Sequence, residues 1–222
     1  MEVLEHRWLL AAAGVATPTF VLAGHAAPGT VGPATEFGTG APISPAQMQT
    51  AYGVNLISFG GVQGTGKGQT IAIIDAYNDP NIIADAQTFS TQFGLPQFNG
   101  NGEPTLQVLN EVGGTALPSN VSPAGTWDVE EALDVEWAHA IAPEANIILF
   151  EANTSALSDL AQANQSAAAT AGVSVVSNSW GYQELPNYPS YDSSFLTPAG
   201  HQGVTFLAST GDSGSPALYP AY

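Results

Sequence analysis

Short apolar runs of strand length alternate with longer stretches of helical pattern along most of the chain. An almost continuous apolar run at residues 69–75 predicts a strand that is covered on both faces. Further strands are predicted at 105–109, which is the weakest, and at 146–151, 173–179 and 204–209. Helices are predicted from Asp79-Pro80 to about Phe93, from Asp128, at 155–171 and at about 193–201. This alternation predicts an α/β fold with a doubly wound, mainly parallel sheet.

The two ends of the pattern divide the chain into three parts. Residues 1–26 contain Arg7, an apolar run and a series of small residues, which favours a signal peptide and a secreted protein, although Glu2 and Pro18 depart from that pattern. Residues 27–43 are rich in Gly, Pro, Ala and Thr and predict a flexible linker. Residues 44–222 form one predicted domain, which opens with Ser44 as the N-cap of a short helix.

The charge balance restricts the partners of this domain. The chain has 19 acidic residues and only two basic ones, with a formal charge of −17 at pH 7. Two cations cannot neutralise a nucleic-acid backbone or hold an anionic membrane surface, so neither partner is expected. The composition suits a protein that works in acid. The absence of cysteine excludes a thiol nucleophile and a zinc–thiolate site.

Two carboxylates on the predicted helix after Asp128 are the strongest candidates for chemistry. Glu130 and Asp134 are four residues apart, so they leave the same side of a helix and can share a proton. A core stripe of Val129, Leu133, Trp137 and Ile141 would place the pair at its border, half solvated, with Glu131 pointing farther away and Glu136 on the opposite border. The alternative is a solvated acidic face. A calcium site is not favoured, because one helix cannot surround a cation that needs six to eight ligands.

The glycine-rich segment 61–68 is similar to a phosphate-binding loop. Gly68 stands where such a loop places the Ser or Thr that holds magnesium, and the segment precedes a strand instead of joining a strand to a helix. We therefore expect a surface turn with a solvated Lys67.

The segment 211–216 is similar to the nucleophile region of chymotrypsin-like proteases. His139, Asp159 and Ser213 even follow one another in the order which that family uses. That chemistry is carried by paired β-barrels, however, and this chain alternates strand with helix. This alternative would require Ser213→Ala to abolish an activity near neutral pH, and we expect His139 to be a partly exposed helix residue.

Several motifs taken together resemble the sedolisin family of serine-carboxyl peptidases. They are Glu130-x-x-x-Asp134 with the following residues to Pro143, then Ser177-Asn-Ser-Trp-Gly181, then residues 208–215. Residues 44–53 and 68–75 are similar to the opening of the same catalytic domain, so the resemblance covers about residues 44 to 222. It implies a subtilisin-like fold and hydrolysis of polypeptides in acid.

The resemblance also implies roles for individual residues. Glu130 would be the general base toward a serine hydroxyl, and Asp134 would polarise Glu130. Asp212 would stabilise the oxyanion, which a carboxyl group can do only while it is protonated. Asp75 and Trp180 would extend the network around the pair. Without the resemblance, Asp75 is an ordinary strand-end residue and Trp180 a core aromatic.

The chain also departs from the family pattern. The segment Ser-Gly-Thr-Ser with the family nucleophile does not occur before Tyr222, nor do the last elements of the fold or the calcium loop. We therefore expect a fragment of an acid-acting serine-type endopeptidase that is inactive alone, binds no cofactor itself and needs a complementing C-terminal fragment. The alternative is a secreted, non-catalytic module that binds peptides or a complementing chain.

Overall fold

A five-stranded parallel sheet forms the centre of the computed structural model, which describes residues 17–18, 43–119, 122, 126–183, 188–211 and 216–221. The strand order is β5-β6-β4-β7-β9, and every pairing within this sheet is parallel. The five strands are β4 (Thr70–Ala76), β5 (Leu106–Asn110), β6 (Asn146–Ala152), β7 (Val173–Asn178) and β9 (Thr205–Ala208). The doubly wound α/β architecture that the sequence predicts is confirmed.

Four α-helices accompany the sheet in the described residues: α1 (Pro45–Tyr52), α2 (Ile82–Phe93), α3 (Thr126–Ile141) and α4 (Leu157–Ala169). Two 3₁₀ segments lie at Val54–Leu56 and Tyr188–Phe195. Two small antiparallel pairs complete the structure, one between β2 (Ser58–Phe59) and β3 (Val62–Gln63), the other between β1 (Thr17–Pro18) and β8 (Trp180–Gly181).

The alternating side chains of the central strands build two separate cores. Ile73 of β4 packs with Leu149 of β6 and Val135 of α3 on one face. Ala72 and Ile74 of β4 pack on the opposite face, against the apolar side of α4. Because both faces of β4 are covered, its sequence is apolar without a polar alternation, as the run at 69–75 predicts.

The helix ends follow local sequence rules. Ser44 caps α1 by accepting a hydrogen bond from the backbone N–H of Gln47, whose side chain accepts one from the backbone N–H of Ser44. Gly94 ends α2 in the left-handed region, at φ 67°, where glycine has no steric penalty. The predicted helix at about 193–201 is wrong, since the helical segment there is 3₁₀, spans Tyr188–Phe195 and stops before Thr197-Pro198. A residue that precedes proline disfavours helical backbone, which explains this early end.

The described ranges contain no helix that is both long enough and apolar enough to cross a bilayer.

Candidate active site

Helix α3 is buried on more than the one face that its apolar pattern predicts. The predicted stripe is wrong: Val129, Leu133, Trp137 and Ile141 are only partly buried. The buried residues are instead Trp127, Glu130, Glu131, Ala132, Val135, Glu136, His139 and Ala140. Sheet, α2 and α1 all contact this helix, and Gln49 of α1 donates a hydrogen bond to its Ala140 carbonyl at 2.6 Å. A helix enclosed in this way has no single apolar stripe for a sequence to reveal.

Three polar residues of α3 correct the sequence expectations. Glu131, which the pattern places away from the core, is 0% exposed, and Glu136, which it places at the border of the stripe, is 2% exposed. His139 is 0% exposed instead of partly exposed. The His139 ring lies 4.2 Å from the Phe98 ring, and its Nε2 lies 2.8 Å from the Pro96 carbonyl oxygen. Burial lowers the pKa of His139, so the neutral form is favoured. His139 is thus a packed core residue in α3, while Asp159 lies in α4 and accepts a hydrogen bond from Thr154.

Two strands bring carboxyl groups to the place where α3 crosses the sheet. Asp75 of β4 and Glu151 of β6 are paired directly across the two parallel strands, near the carboxyl ends of both. Side chains alternate along a strand, so Asp75 follows Ile73 and Glu151 follows Leu149 onto the face that α3 covers. Both residues are 0% exposed. In a doubly wound sheet this edge is the usual place for chemistry.

The pKa of Asp75 is strongly perturbed. Burial is the main cause that raises its pKa well above the ordinary value, and the charges of Asp134, Glu130 and Glu151 raise it further. Neither carboxyl oxygen of Asp75 has a hydrogen-bond partner among the described residues. Its protonated form is therefore favoured, and the carboxyl lies beside the Glu130–Asp134 pair.

Sequence reasoning did not identify Glu131 and Glu151 as members of this group. Burial raises the pKa of Glu131 well above its usual value, with additional contributions from Asp75 and Glu151. Burial raises the pKa of Glu151 to about 8, although the Asp79 backbone N–H, 3.3 Å from its Oε1, acts in the opposite direction. The available signal was the position of Glu151 at the end of the apolar run 146–151, which matches that of Asp75 after the run 69–75.

Asp134 is held from the next strand connection. Its Oδ1 accepts a hydrogen bond of 2.9 Å from the Ser179 hydroxyl, which lies between β7 and β8. Burial raises the pKa of Asp134 to about 6, and the Ser179 hydrogen bond limits that rise. Glu130, one turn earlier on α3, is 1% exposed, so it is more buried than the sequence pattern predicts.

The backbone turns sharply directly after Asp75-Ala76. Tyr77 has φ 75°, a left-handed conformation that is rare for a bulky residue. The ring of Tyr77 lies 6.3 Å from that of Trp127, and its hydroxyl lies 3.1 Å from Ser155 Oγ. Strained residues of this kind concentrate at functional sites.

The remaining candidates from the sequence lie apart from these contacts or outside the described residues. Trp180 is fully buried, its ring lies 6.1 Å from Tyr182 and 6.3 Å from Phe195, and it belongs to the core on the α4 face. Asp212 and Ser213 lie outside the described residues. Lys67 is an exposed loop residue that pairs with Glu144 at 3.1 Å, at the end of the sheet opposite to the carboxyl group cluster.

A shallow apolar groove runs beside Asp134, between α3 and the β7–β9 side of the sheet. It is lined by Ile71, Ile73, Leu133, Asp134, Trp137, Ala138, Val175, Ser177 and Leu207. Leu207 is 54% exposed, although it lies in a strand. The groove is therefore an uncovered part of the core that meets the carboxyl groups at one end.

In the described part of the chain, no three His, Asp or Glu side chains are arranged to hold a metal ion.

Comparison with known proteins gives a structural relative. The fold matches that of Pseudomonas sedolisin, a serine-carboxyl proteinase solved in complex with two molecules of pseudo-iodotyrostatin, with a TM-score of 0.60 and 26% sequence identity. The match covers 80% of this chain but only 46% of the sedolisin chain, so this chain spans about half the length of its relative. No family model and no curated protein matches the sequence. The fold is thus subtilisin-like and of the sedolisin type.

Proposed function

We propose that this chain carries the general-base half of an acid-acting, serine-type endopeptidase site. The observation that carries the proposal is the Glu130–Asp134 pair, with Glu130 buried and Asp134 partly buried, which lies beside Asp75 at the carboxyl edge of a sedolisin-like sheet. Like charges this close, with no cation beside them in the described part of the chain, favour the sharing of protons. Such a pair can accept the proton of a nucleophilic hydroxyl group.

In the proposed reaction, Glu130 accepts the proton of a serine hydroxyl as that oxygen attacks a peptide carbonyl. Asp134 holds Glu130 and shares the proton that it accepts. Asp212 donates a hydrogen bond to the oxyanion, a role that requires it to be protonated and therefore favours acid. The nucleophilic serine and the calcium loop that the resemblance implies would come from sequence outside these 222 residues, and no step is assigned to calcium.

The proposal includes a place of action and a substrate class. The pattern of residues 1–26 supports export to the outside of the cell, and the acidic composition supports activity there at low pH. The substrate would be a polypeptide, since the sedolisin relative is a proteinase.

The test is hydrolysis of casein at about pH 4 and about pH 7 by the purified chain, alone and mixed with a downstream polypeptide, that is, a separately expressed C-terminal part of a sedolisin-like peptidase that contains the Ser-Gly-Thr-Ser segment. We expect cleavage only in the mixture and only in acid. Cleavage by the chain alone would contradict the need for a complementing segment. Activity near neutral pH that Ser213→Ala abolishes would support the chymotrypsin-like alternative instead.

A second candidate function is a non-catalytic module that binds a peptide or a complementing chain. The apolar groove beside Asp134, with the exposed Leu207, favours it. Binding of the downstream polypeptide without any casein cleavage would support this module. We expect Leu207→Asp to weaken such binding, whereas Leu196→Asp, at a leucine that is 65% exposed and lies outside the groove, would leave it unchanged.

A further inference from the structure

Ser179 lies at the same sheet edge as the carboxyl groups. Strand β7 ends at Asn178 and β8 begins at Trp180, so Ser179 is the single residue that joins the two strands. It belongs to the motif Ser177–Gly181 that contributes to the sedolisin resemblance. Its side chain is half-buried.

The contact between Ser179 and Asp134 is asymmetric. The hydroxyl donates to Oδ1 of Asp134 at 2.9 Å, while Oδ2 of Asp134 is buried and makes no hydrogen bond with the described residues. A carboxylate held at one oxygen cannot rotate freely about its terminal bond. The second oxygen therefore keeps a fixed direction.

In the described residues, the titratable side chains that approach Asp134 are carboxyl groups. Asp75 approaches from β4 and Glu130 from the preceding turn of α3. The positively charged Lys67 lies at the opposite end of the sheet, where it pairs with Glu144. In these surroundings an uncharged hydrogen-bond donor can stabilise the ionised form of Asp134.

The position of the chain at Ser179 does not depend on this hydroxyl. The Asn178 carbonyl accepts a hydrogen bond from the Ser209 N–H at 3.0 Å, and the Asn178 side chain donates to the Leu207 carbonyl at 3.1 Å. The following Trp180 is fully buried. The backbone is thus fixed on both sides of Ser179.

We propose that Ser179 is a positioning residue of the site: its hydroxyl holds Oδ1 of Asp134 and leaves Oδ2 for Glu130. The inference rests on the proposed role of the Glu130–Asp134 pair. Ser179 acts through Asp134 and does not itself touch the reacting atoms. Its hydrogen bond keeps Asp134 ionised under conditions in which burial alone would protonate it.

The test is the pH titration of Asp134 in the purified chain, followed by NMR of ¹³C-labelled carboxyl groups and assigned with Asp134→Asn. The pKa of Asp134 is raised by burial to about 6 in the unsubstituted chain. A hydrogen bond to a charged group contributes enough that Ser179→Ala should raise this pKa by about 1 or more. Ser179→Cys, which keeps a similar shape with a weak donor, should also raise it, and Ser179→Thr, which keeps the hydroxyl, should restore it.

Ser174→Ala is the matched control, because this hydroxyl lies on the same strand and donates to the Thr70 carbonyl, far from Asp134. We expect it to leave the pKa of Asp134 unchanged. An unchanged pKa of Asp134 in Ser179→Ala or Ser179→Cys would overturn the positioning role. The readout needs no peptide cleavage, so this inference and the proposed function can fail independently.

Discussion

At the scale of single residues, the cost of burying carboxyl groups without cations dominates the site. Asp75 is fully buried, and its oxygens have no hydrogen-bond partner among the described residues. Folding can keep such a group only by keeping it protonated. This explains why the pKa of Asp75 is raised, whereas a strand-end residue that caps a turn would not need to keep its proton.

The first prediction concerns Asp75→Asn, which preserves the shape and removes the titration. The folded-state pKa of Asp75 is raised, so above the unfolded value near 3.8 the folded chain keeps a proton that the unfolded chain releases. The unsubstituted chain therefore loses stability as pH rises from the unfolded value toward the folded-state pKa. The variant does not titrate at this position, so it does not show this loss. We expect Asp75→Asn to gain on the order of 2 kcal/mol relative to the unsubstituted chain between about pH 4 and about pH 7.

Urea unfolding at the two pH values measures this difference. Glu144→Gln is the control, because Glu144 is partly exposed and its hydrogen bonds with Thr65 and Lys67 lower its pKa. The control should show no such gain. A constant difference between Asp75→Asn and the unsubstituted chain at both pH values would contradict the burial argument.

At the scale of elements, the strands were predictable and the buried face of α3 was not. The apolar runs at 69–75 and 146–151 are long and flanked by polar or turn residues, so periodicity alone identifies β4 and β6. Helix α3 lies between the sheet, α2 and α1, and its buried positions include three glutamates. Only tertiary contacts can show that Glu131 is buried, because an acidic residue next to Glu130 looks solvated in a sequence.

A matched pair of substitutions tests the observed face of α3. Val135 is 0% exposed and packs with Ile73 and Leu149, whereas Val129, part of the predicted stripe, is only partly buried. Val135→Ala should cost about 2 kcal/mol of unfolding free energy, and Val129→Ala less than about 1 kcal/mol. Urea unfolding in acid measures both. A larger loss of unfolding free energy for Val129→Ala than for Val135→Ala would support the stripe that the sequence predicts.

At the scale of the whole molecule, the net charge and the buried carboxyl groups both make the fold more stable in acid than at neutral pH. The formal charge of −17 at pH 7 makes the folded chain repel itself, and this repulsion decreases as carboxylates become protonated. Burial raises the pKa values of Asp75, Glu131, Asp134 and Glu151, the last two to about 6 and about 8. Composition predicted a protein suited to acid, but not where its proton-holding groups lie.

The whole chain should therefore be most stable in acid. A raised folded-state pKa stabilises the fold below the unfolded value, and this stability is lost as pH rises toward the folded value. We expect the melting temperature to fall steadily from about pH 4 to about pH 8, by several degrees. Thermal unfolding followed by circular dichroism across this range checks it. A melting temperature that rises with pH would contradict the folded-state protonation of the site.

The central claim is that Glu130 acts as a base, and a comparison of two buried glutamates on α3 tests it most directly. Glu130 and Glu136 are 1% and 2% exposed, and Gln preserves the shape of each. The measurement is kcat/KM for casein at about pH 4, with the separately expressed downstream polypeptide present. We expect Glu130→Gln to lower kcat/KM by at least about 100-fold, while Glu136→Gln stays close to the unsubstituted chain. Equal activity of Glu130→Gln and the unsubstituted chain would contradict it.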